Sequence, residues 1–579
     1  MILDLREDDP PRVDEDLDEI TLADPEHATH LRGQHHSAEL IDLARHAGRF
    51  QRALPIERAE VRVGLVQFVG IVGAMSHPFY VTTPIYYPND LPHIGHAYTS
   101  VAADALARWR RLWGDDVVFL TGTDEHGLKI QRAAQEQGIS PQELVDRTSE
   151  GFRNLTPLLE LSNTDFIRTT EARHTAAVQA FLQAIYDRGD IELGTYEGMY
   201  CVACEAYYTD DEIVDGNCPI HGRPVERVTE ENYFFKLSRY ADRLLEHYAA
   251  HPEAVQPDGR RNEVLGFIRE GLRDFSMSRT SLTWGVPLPW DPEHVAYVWS
   301  DALVNYCTAI GYGVDRARFD RYWPADYHVI GKDILRFHAV YWPSMLMAAG
   351  EALPRCVFAH GWLLVGGDKM SKTAANQIHP SELVAQFGAD GFRYHFLVDQ
   401  RFGPDGDFSF EAMVARYNAD LANNFGNCAS RVLNMAVSYC DAKVPDERED
   451  GPLVAATVAA FEGITTALER LAFADGFGAV WELIRATNSF IEDREPWKLH
   501  KAGDGAATGA VLGDCLEALR VIALLASPVI PAAARQLWRR LGLEGAPEDQ
   551  RLPAAAAWGQ LAPGLPLEKG AALFPRIDS

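Results

Sequence analysis

Val81-Thr82-Thr83-Pro84-Ile85-Tyr86-Tyr87-Pro88-Asn89-Asp90-Leu91-Pro92-His93-Ile94-Gly95-His96 decides how the chain is read. Tyr80 to Tyr86 is rich in β-branched and aromatic residues and nearly free of charge, the texture of a buried strand. Tyr87 to Pro92 is a loop, punctuated by two prolines and Asn-Asp. After Gly95, Val101, Ala105 and Trp109 recur at helical spacing, with Ala102 and Leu106 beside them. Two histidines flanking a glycine therefore stand where a strand gives way to a helix. Free backbone N–H groups and the positive end of the helix dipole are expected there, an arrangement that suits an anion. Histidine adds donors within reach of phosphate oxygens.

Working outward, strand and helix alternate from Met75 to about Arg188. A helix is expected over 96–113, a strand over 116–120, a loop at Thr121-Gly122-Thr123-Asp124-Glu125-His126-Gly127, and helices over 128–137 and 141–159. Such alternation implies an α/β fold with a doubly wound parallel sheet and ligands at the carboxyl ends of its strands. From Gly189 to Trp290 the texture changes to short strands, turns and cysteines, which reads as an insertion. The alternation resumes at 294–306, 327–348 and 356–365. Beyond about Phe408 the chain is almost wholly helical, an α-helical bundle up to Leu541. The expected segments are thus 1–74, an acidic and disordered extension with at most a loosely docked helix around 38–54; 75–188, the first half of a nucleotide-binding domain; 189–290, the insertion; 291–408, the second half; 409–541, the bundle; and 542–579, a Pro/Ala/Gly-rich peripheral tail. Met75 directly precedes the opening strand, so residues 1–74 are expected to be dispensable, with a regulatory tail as the other reading.

Composition sets the limits. With 579 residues, three or four folded units are expected, and 47% hydrophobic content can fill their cores. A formal net charge of −29 argues, taken alone, against a nucleic-acid partner, although clustered lysines and arginines decide that question. Eight cysteines in this length do not make a disulfide scaffold. The most apolar run, Val63 to Met75, contains Gln67 and falls short of the roughly 20 residues that cross a bilayer. A cytoplasmic protein without a membrane partner is expected.

Three constellations carry chemistry. Pro92-His93-Ile94-Gly95-His96 is matched downstream by Asp368-Lys369-Met370-Ser371-Lys372-Thr373, behind the flexible Gly366-Gly367. A lone Lys-x-x-Lys is ordinarily a solvated surface run. The two motifs in this order on the two halves of an α/β fold form a phosphate-handling pair. Cys201-Val202-Ala203-Cys204 and Cys218-Pro219-Ile220-His221, with thirteen residues between, suit a tetrahedral Cys3His zinc site. Four protein ligands close the coordination sphere, so such a metal would be structural and would staple a small insertion. Tyr297-Val298-Trp299-Ser300-Asp301-Ala302-Leu303-Val304-Asn305-Tyr306 is rich in aromatics, and Ile334, His338 and Trp342 fall on one face of a regular helix. Core packing is the plainer reading of that stripe, and its histidine tilts it toward a pocket.

The motif pair resembles the signature of class I aminoacyl-tRNA synthetases. The order and wording of all these motifs from about Ser76 to Leu541 resemble the methionyl-tRNA synthetase family, of the shorter bacterial kind with one zinc knuckle. That resemblance implies a ligase that activates L-methionine with ATP to methionyl-adenylate, releasing pyrophosphate. The methionyl group then passes to the 3′ end of methionine tRNA, initiator and elongator, giving AMP. Within the resemblance, Ile85, Tyr87, Asp124, Trp299, Ala302, Leu303, Tyr306, Ile334, His338 and Trp342 fall at the methionine pocket, with Asp124 holding the ammonium. His93, Gly95, His96, Asp333, His360, Leu363, Lys369 and Lys372 fall at ATP, and His93, His96, Lys369 and Lys372 are the catalytic set. Asn427, Arg431 and Trp497 fall where the CAU anticodon is read. One structural Zn(2+) on Cys201, Cys204, Cys218 and His221, and Mg(2+) with ATP, are the implied cofactors.

Each assignment has a chemical reason. An aromatic slot suits a thioether, to which a Tyr hydroxyl or a His N–H could donate, and Asp124 supplies a counter-ion for an ammonium. A tryptophan can stack on an unpaired anticodon base, and Asn and Arg can read base edges. The lysine motif departs from the family in ending on Thr373 instead of serine, and the acidic extension departs from it altogether. No dimerisation module is recognisable after Leu541, so a monomer is expected. Two alternatives stay open at this point: another class I synthetase, or a non-catalytic tRNA-binding relative.

Overall fold

The computed structural model describes residues 76–202, 206–208, 213–219, 222–366, 368–369 and 378–578. The expectations placed on residues 1–74 lie outside them. The first half of the α/β region runs β1 (Pro78–Tyr86), α1 (Ile94–Leu112), β2 (Asp116–Thr123), α2 (Leu128–Gln137), α3 (Pro141–Arg153), β3 (Asp165–Arg168) and α4 (Ala172–Asp187). The helix expected over 141–159 stops at Arg153, followed by a short turn at Leu155–Leu158. Pro157 has no N–H to give the Arg153 carbonyl, so the helix cannot run on.

Next come β4 (Ile191–Cys201), β5 (Ala206–Tyr208) and β6 (Glu226–Phe235), then α5 (Ala241–Ala250), β7 (Val255–Gln256), α6 (Asp258–Arg269) and β8 (Phe275–Ser276). β5, β4, β6 and β8 form an antiparallel four-stranded sheet. β7 instead pairs in parallel with the main sheet, Val255 opposite Val357. The segment 189–290 therefore contributes one edge strand to the main sheet, which texture alone did not signal. The second half adds α7 (Val298–Ala302), β9 (Tyr327–Gly331), α8 (Trp342–Ala349), β10 (Val357–His360) and α9 (Pro380–Tyr394).

The main sheet has the order β3-β2-β1-β9-β10-β7, and every pair in it is parallel. Strand order reverses between β1 and β9, the crevice where ligands of doubly wound sheets bind. Alternation along the strands feeds a core on each face. Phe79, Val81, Val117 and Phe119 point to one core, and Tyr80, Val118 and Leu120 to the other. The first core continues without a break into the helical bundle of α10 (Asn427–Tyr439), α11 (Pro452–Leu468), α12 (Phe473–Arg494), α13 (Pro496–Lys501), α14 (Gly505–Ala526) and α15 (Pro531–Arg540). From Val511 to Ala526 α14 is buried all round, as befits a central helix.

A buried ion cluster ties the bundle to the helix of the histidine motif. Arg393 of α9, fully buried, meets Asp104 of α1 at 2.7 Å and donates to the carbonyls of Val529 and Pro528 at 2.9 and 2.7 Å. Asp104 also accepts from Arg108 at 2.7 Å and from Ser162 at 2.6 Å. Burial alone would raise its carboxyl. The two guanidinium groups and Ser162 outweigh burial and hold it at about 2. No helix among the described residues is long and apolar enough to cross a membrane.

Candidate active site

A cavity of about 890 Å³ opens at the carboxyl ends of β1 and β9. One wall comes from the end of β1 and the loop after it: Ile85, Tyr87, His93, Gly95 and His96. Asp124, just past the end of β2, also lines the cavity, its own N–H bonded to the Tyr86 carbonyl at 2.9 Å. The opposite wall holds Trp299, Ala302, Leu303, Tyr306, Ile334 and His338, and the remaining edge holds Asp333, His360 and Leu363.

The histidine motif differs in one respect from the expected anion site. His93 is the N-cap of α1. Its Nδ1 accepts from Gly95 N–H, and His96 Nδ1 accepts from His93 N–H, both at 3.1 Å. Ile94 N–H is bonded to the Ile378 carbonyl at 3.0 Å, and His96 N–H to the His93 carbonyl at 3.0 Å. The backbone donors at this helix start are thus engaged, and the expectation of free N–H groups is corrected. With Nδ1 accepting, each neutral ring carries its hydrogen on Nε2. Burial, and then the neighbouring His93, push His96 well below its usual range, so it is a neutral donor at pH 7. Its ring is held edge-on between Tyr86 and Phe152 at 5.0 and 5.1 Å.

On the aromatic side, His338 donates from Nδ1 to the Ile334 carbonyl at 3.0 Å, which leaves Nε2 to accept the Tyr306 hydroxyl at 2.8 Å. Burial lowers His338 to about 4, so the ring is neutral. Neither the Tyr306 O–H nor the His338 N–H is idle in this arrangement. The expected donation to a thioether sulfur is corrected accordingly. His360 follows the same logic: Nδ1 donates to the Gly361 carbonyl and Nε2 accepts from the Thr99 hydroxyl, each at 2.7 Å, with burial lowering the ring to about 4. Trp299 lies flat on Phe337, with centroids 3.9 Å apart and planes within 5°.

Trp342 is not among the residues lining the cavity. Between Ile334 and Trp342 the chain makes a π-helical turn, Phe337–Tyr341, and the wider turn breaks the i, i+4, i+8 face assumed from regular spacing. Trp342 is fully buried behind the wall, 6.2 Å from Tyr306 and 5.5 Å from Phe181 between centroids.

Several lining residues had no signal in spacing or composition. Lys332 pairs with Asp405 at 2.6 Å and sits 4.1 Å from the Trp362 ring. The Trp362 indole N–H reaches Asp333 at 3.4 Å. Lys332 directly follows one sheet strand and Trp362 lies two residues past the end of another, positions that could have marked them. At Gly331 a Cβ would stand 2.7 Å from the Asp333 carboxylate, so a side chain there would push that carboxylate aside. Asn305 also lines the cavity, its amide donating to the Ala302 carbonyl at 2.5 Å.

The backbone at Asp368–Lys369 pairs antiparallel with Leu364 and Val365, next to cavity-lining Leu363. Lys372 lies outside the described residues, as does the side chain of Lys369.

The sequence was compared with known proteins. Residues 79–228 and 220–433 match the family model described as tRNA synthetases class I (M), and residues 442–579 match the anticodon binding domain of methionyl tRNA ligase. The chain belongs to the methionyl-tRNA synthetase family. It is 48% identical over 523 residues to the methionine–tRNA ligase of Streptomyces coelicolor, covering 86% of this chain and 97% of that protein. Its identity to the Thermotoga maritima methionine–tRNA ligase is 45% over 509 residues, covering 86% of this chain and 80% of the relative. A solved structure of the Mycobacterium tuberculosis methionyl-tRNA synthetase in complex with methionyl-adenylate superposes with a TM-score of 0.83 at 43% identity, covering 86% of this chain and 100% of that one. The chain is accordingly a class I aminoacyl-tRNA ligase for methionine.

Two further parts of the chain bear on its function. On α10, Asn427 is exposed and Arg431 follows one turn later. The Arg431 guanidinium lies 5.4 Å from the Trp497 ring and 2.5 Å from Glu492. In the insertion, Cys201 and Cys218 are buried, and neither belongs to a hydrophobic core cluster among the described residues. Cys218 opens a tight turn in which its N–H meets the Arg223 carbonyl and its carbonyl meets Gly222 N–H, both at 2.8 Å. Cys204 and His221 lie outside the described residues.

Proposed function

We propose that methionine and ATP occupy the two ends of the one cavity. Ile85, Tyr87, Trp299, Ala302, Leu303, Tyr306, Ile334 and His338 form the amino-acid end, and Trp342 braces it from behind. Asp124 receives the ammonium. His93, Gly95, His96, Asp333, His360 and Leu363 serve ATP, and Lys369 and Lys372 close over it. The observation that carries this reading is that one cavity is lined by the aromatic slot, the Asp124 carboxylate and the histidine pair together.

The chemistry follows from charge and position. The methionine carboxylate is ionised at neutral pH and attacks the α-phosphorus without a general base. The Nε2–H groups of His93 and His96 donate to the pentavalent α-phosphoryl oxygens, and the two lysines hold the departing pyrophosphate. Magnesium bound with ATP would neutralise polyphosphate charge. The terminal adenosine of tRNA then attacks the mixed anhydride through a ribose hydroxyl, and AMP leaves. Since Tyr306 and His338 hold each other's proton and lone pair, recognition of the side chain rests on shape and on sulfur–aromatic contact.

Asn427, Arg431 and Trp497 read the anticodon of methionine tRNA, Trp497 by stacking on a base. Cys201, Cys204, Cys218 and His221 hold one structural zinc. Two buried thiols that belong to no hydrophobic core cluster among the described residues are the donor chemistry that fits it. The protein acts as a cytoplasmic monomer, with 75–188 and 291–408 as catalytic halves, 189–290 as the zinc-bearing insertion, 409–541 as the anticodon-binding bundle, and 1–74 and 542–579 as extensions.

ATP–pyrophosphate exchange against a panel of amino acids, with elemental analysis of the same sample, tests the reading. Exchange with methionine alone and about one zinc per chain are expected. Exchange with a different amino acid, or a metal-free active protein, would contradict it.

A further inference from the structure

A fully buried carboxylate lies behind the cavity and takes no part in lining it. Asp301, on α7 between Trp299 and Ala302, accepts from His126 Nδ1 at 2.6 Å on one oxygen and from His174 Nε2 at 2.8 Å on the other. His126 is two residues from Asp124, on the opposite half of the α/β region. His174 belongs to α4 and reaches Thr308 at 3.1 Å through its other nitrogen. Burial would raise the Asp301 carboxyl, but the two imidazoles outweigh it and hold it at about 2, so it is ionised across the working range.

The residues beside Asp124 are held from other sides as well. Glu125, fully buried, accepts from Thr123, Ser149, Arg168 and Thr170 at 2.5–2.7 Å. The Trp284 indole donates to the Glu125 carbonyl at 2.6 Å, and the Tyr87 hydroxyl donates to the His126 carbonyl at 2.7 Å. Glu125 thus fixes the loop to the outer layer of its own half. A side-chain link from this loop to the helix of the aromatic slot runs through His126 and Asp301.

We infer that His126 and Asp301 are positioning residues that set the distance between the ammonium-binding carboxylate of Asp124 and the slot formed by Trp299, Ala302 and Leu303. The inference rests on the proposed role of Asp124. An amino acid bound by its ammonium at one wall and its side chain at the other is measured by the gap between them. A buried hydrogen bond between those walls, outside the cavity, keeps that gap fixed whether or not substrate is present. Small displacements of a positioned group are costly in such sites.

The experiment compares His126→Asn, whose amide nitrogen can stand where Nδ1 stands, with His126→Gln, whose amide nitrogen stands where Nε2 stands. Asp301→Asn and Asp124→Asn are included. In ATP–pyrophosphate exchange, His126→Gln and Asp301→Asn are expected to raise KM for methionine on the order of tenfold, with KM for ATP within about twofold of the parent. His126→Asn is expected to stay near the parent. If Asp124→Asn raises KM for methionine but both His126 variants match the parent, the brace is overturned and the ammonium site stands. If Asp124→Asn has no effect, the ammonium site itself falls. Equal losses in both His126 variants, in both KM values and in melting temperature, would make the pair a folding element and overturn its positioning role.

Discussion

The Tyr306 hydroxyl donates to His338 Nε2 at 2.8 Å because His338 has already committed its ring hydrogen to the Ile334 carbonyl. The direction of this bond is set by the backbone and not by the substrate. Tyr306→Phe should therefore leave the preference for methionine over norleucine nearly unchanged, within about threefold in kcat/KM. It should lower stability by about 1–3 kcal/mol, through the orphaned Nε2. Paired exchange kinetics and denaturant unfolding check both, and a tenfold loss of preference would mean that the hydroxyl turns to the sulfur.

His338 and His360 are both lowered to about 4 by burial. In the unfolded chain they titrate near 6.5, so between pH 6.5 and 4 the unfolded state binds more protons. The stability they contribute is present above pH 6.5 and lost as pH falls toward 4. Each should cost about 1 kcal/mol for the first pH unit below 6.5. His338→Gln should reduce the loss of melting temperature between pH 7.5 and 5.5 relative to the parent, and an identical loss would assign the slope to other groups.

Arg393 and Asp104 form a buried pair that also satisfies bundle carbonyls. Removing one partner leaves an uncompensated charge, so Arg393→Met should destabilise by about 3–5 kcal/mol. Denaturant unfolding with a shift below 1 kcal/mol would show that water reaches the pair.

Lys372→Ala should lower the exchange rate by about 10²–10³ while leaving methionine affinity nearly intact, as expected for a donor that acts in the transition state. Unchanged turnover in the exchange assay would remove Lys372 from the catalytic set.

Much of this arrangement was legible in the sequence because it is local. β1 and α1 follow from side-chain periodicity, and the bundle from its Ala/Leu-rich helices. What escaped depends on partners far apart in the chain or on departures from ideal geometry. Asp301 meets His126 and His174 across more than a hundred residues, and no periodicity encodes that meeting. Trp342 left the expected face through a π-helical turn, a local widening invisible to a 3.6-residue reading. The histidine motif was placed correctly at its junction. Its rings proved to cap the helix themselves, replacing the free amides that the junction implied.

The most direct test of the two-ended cavity is a comparison of Asp124→Asn and His96→Ala in ATP–pyrophosphate exchange, with methionine and ATP varied separately. Asp124→Asn should raise KM for methionine and spare KM for ATP, whereas His96→Ala should lower kcat by about 10²–10³ and spare KM for methionine. If both variants moved the same parameter, the division of the cavity into an amino-acid end and a phosphate end would be contradicted.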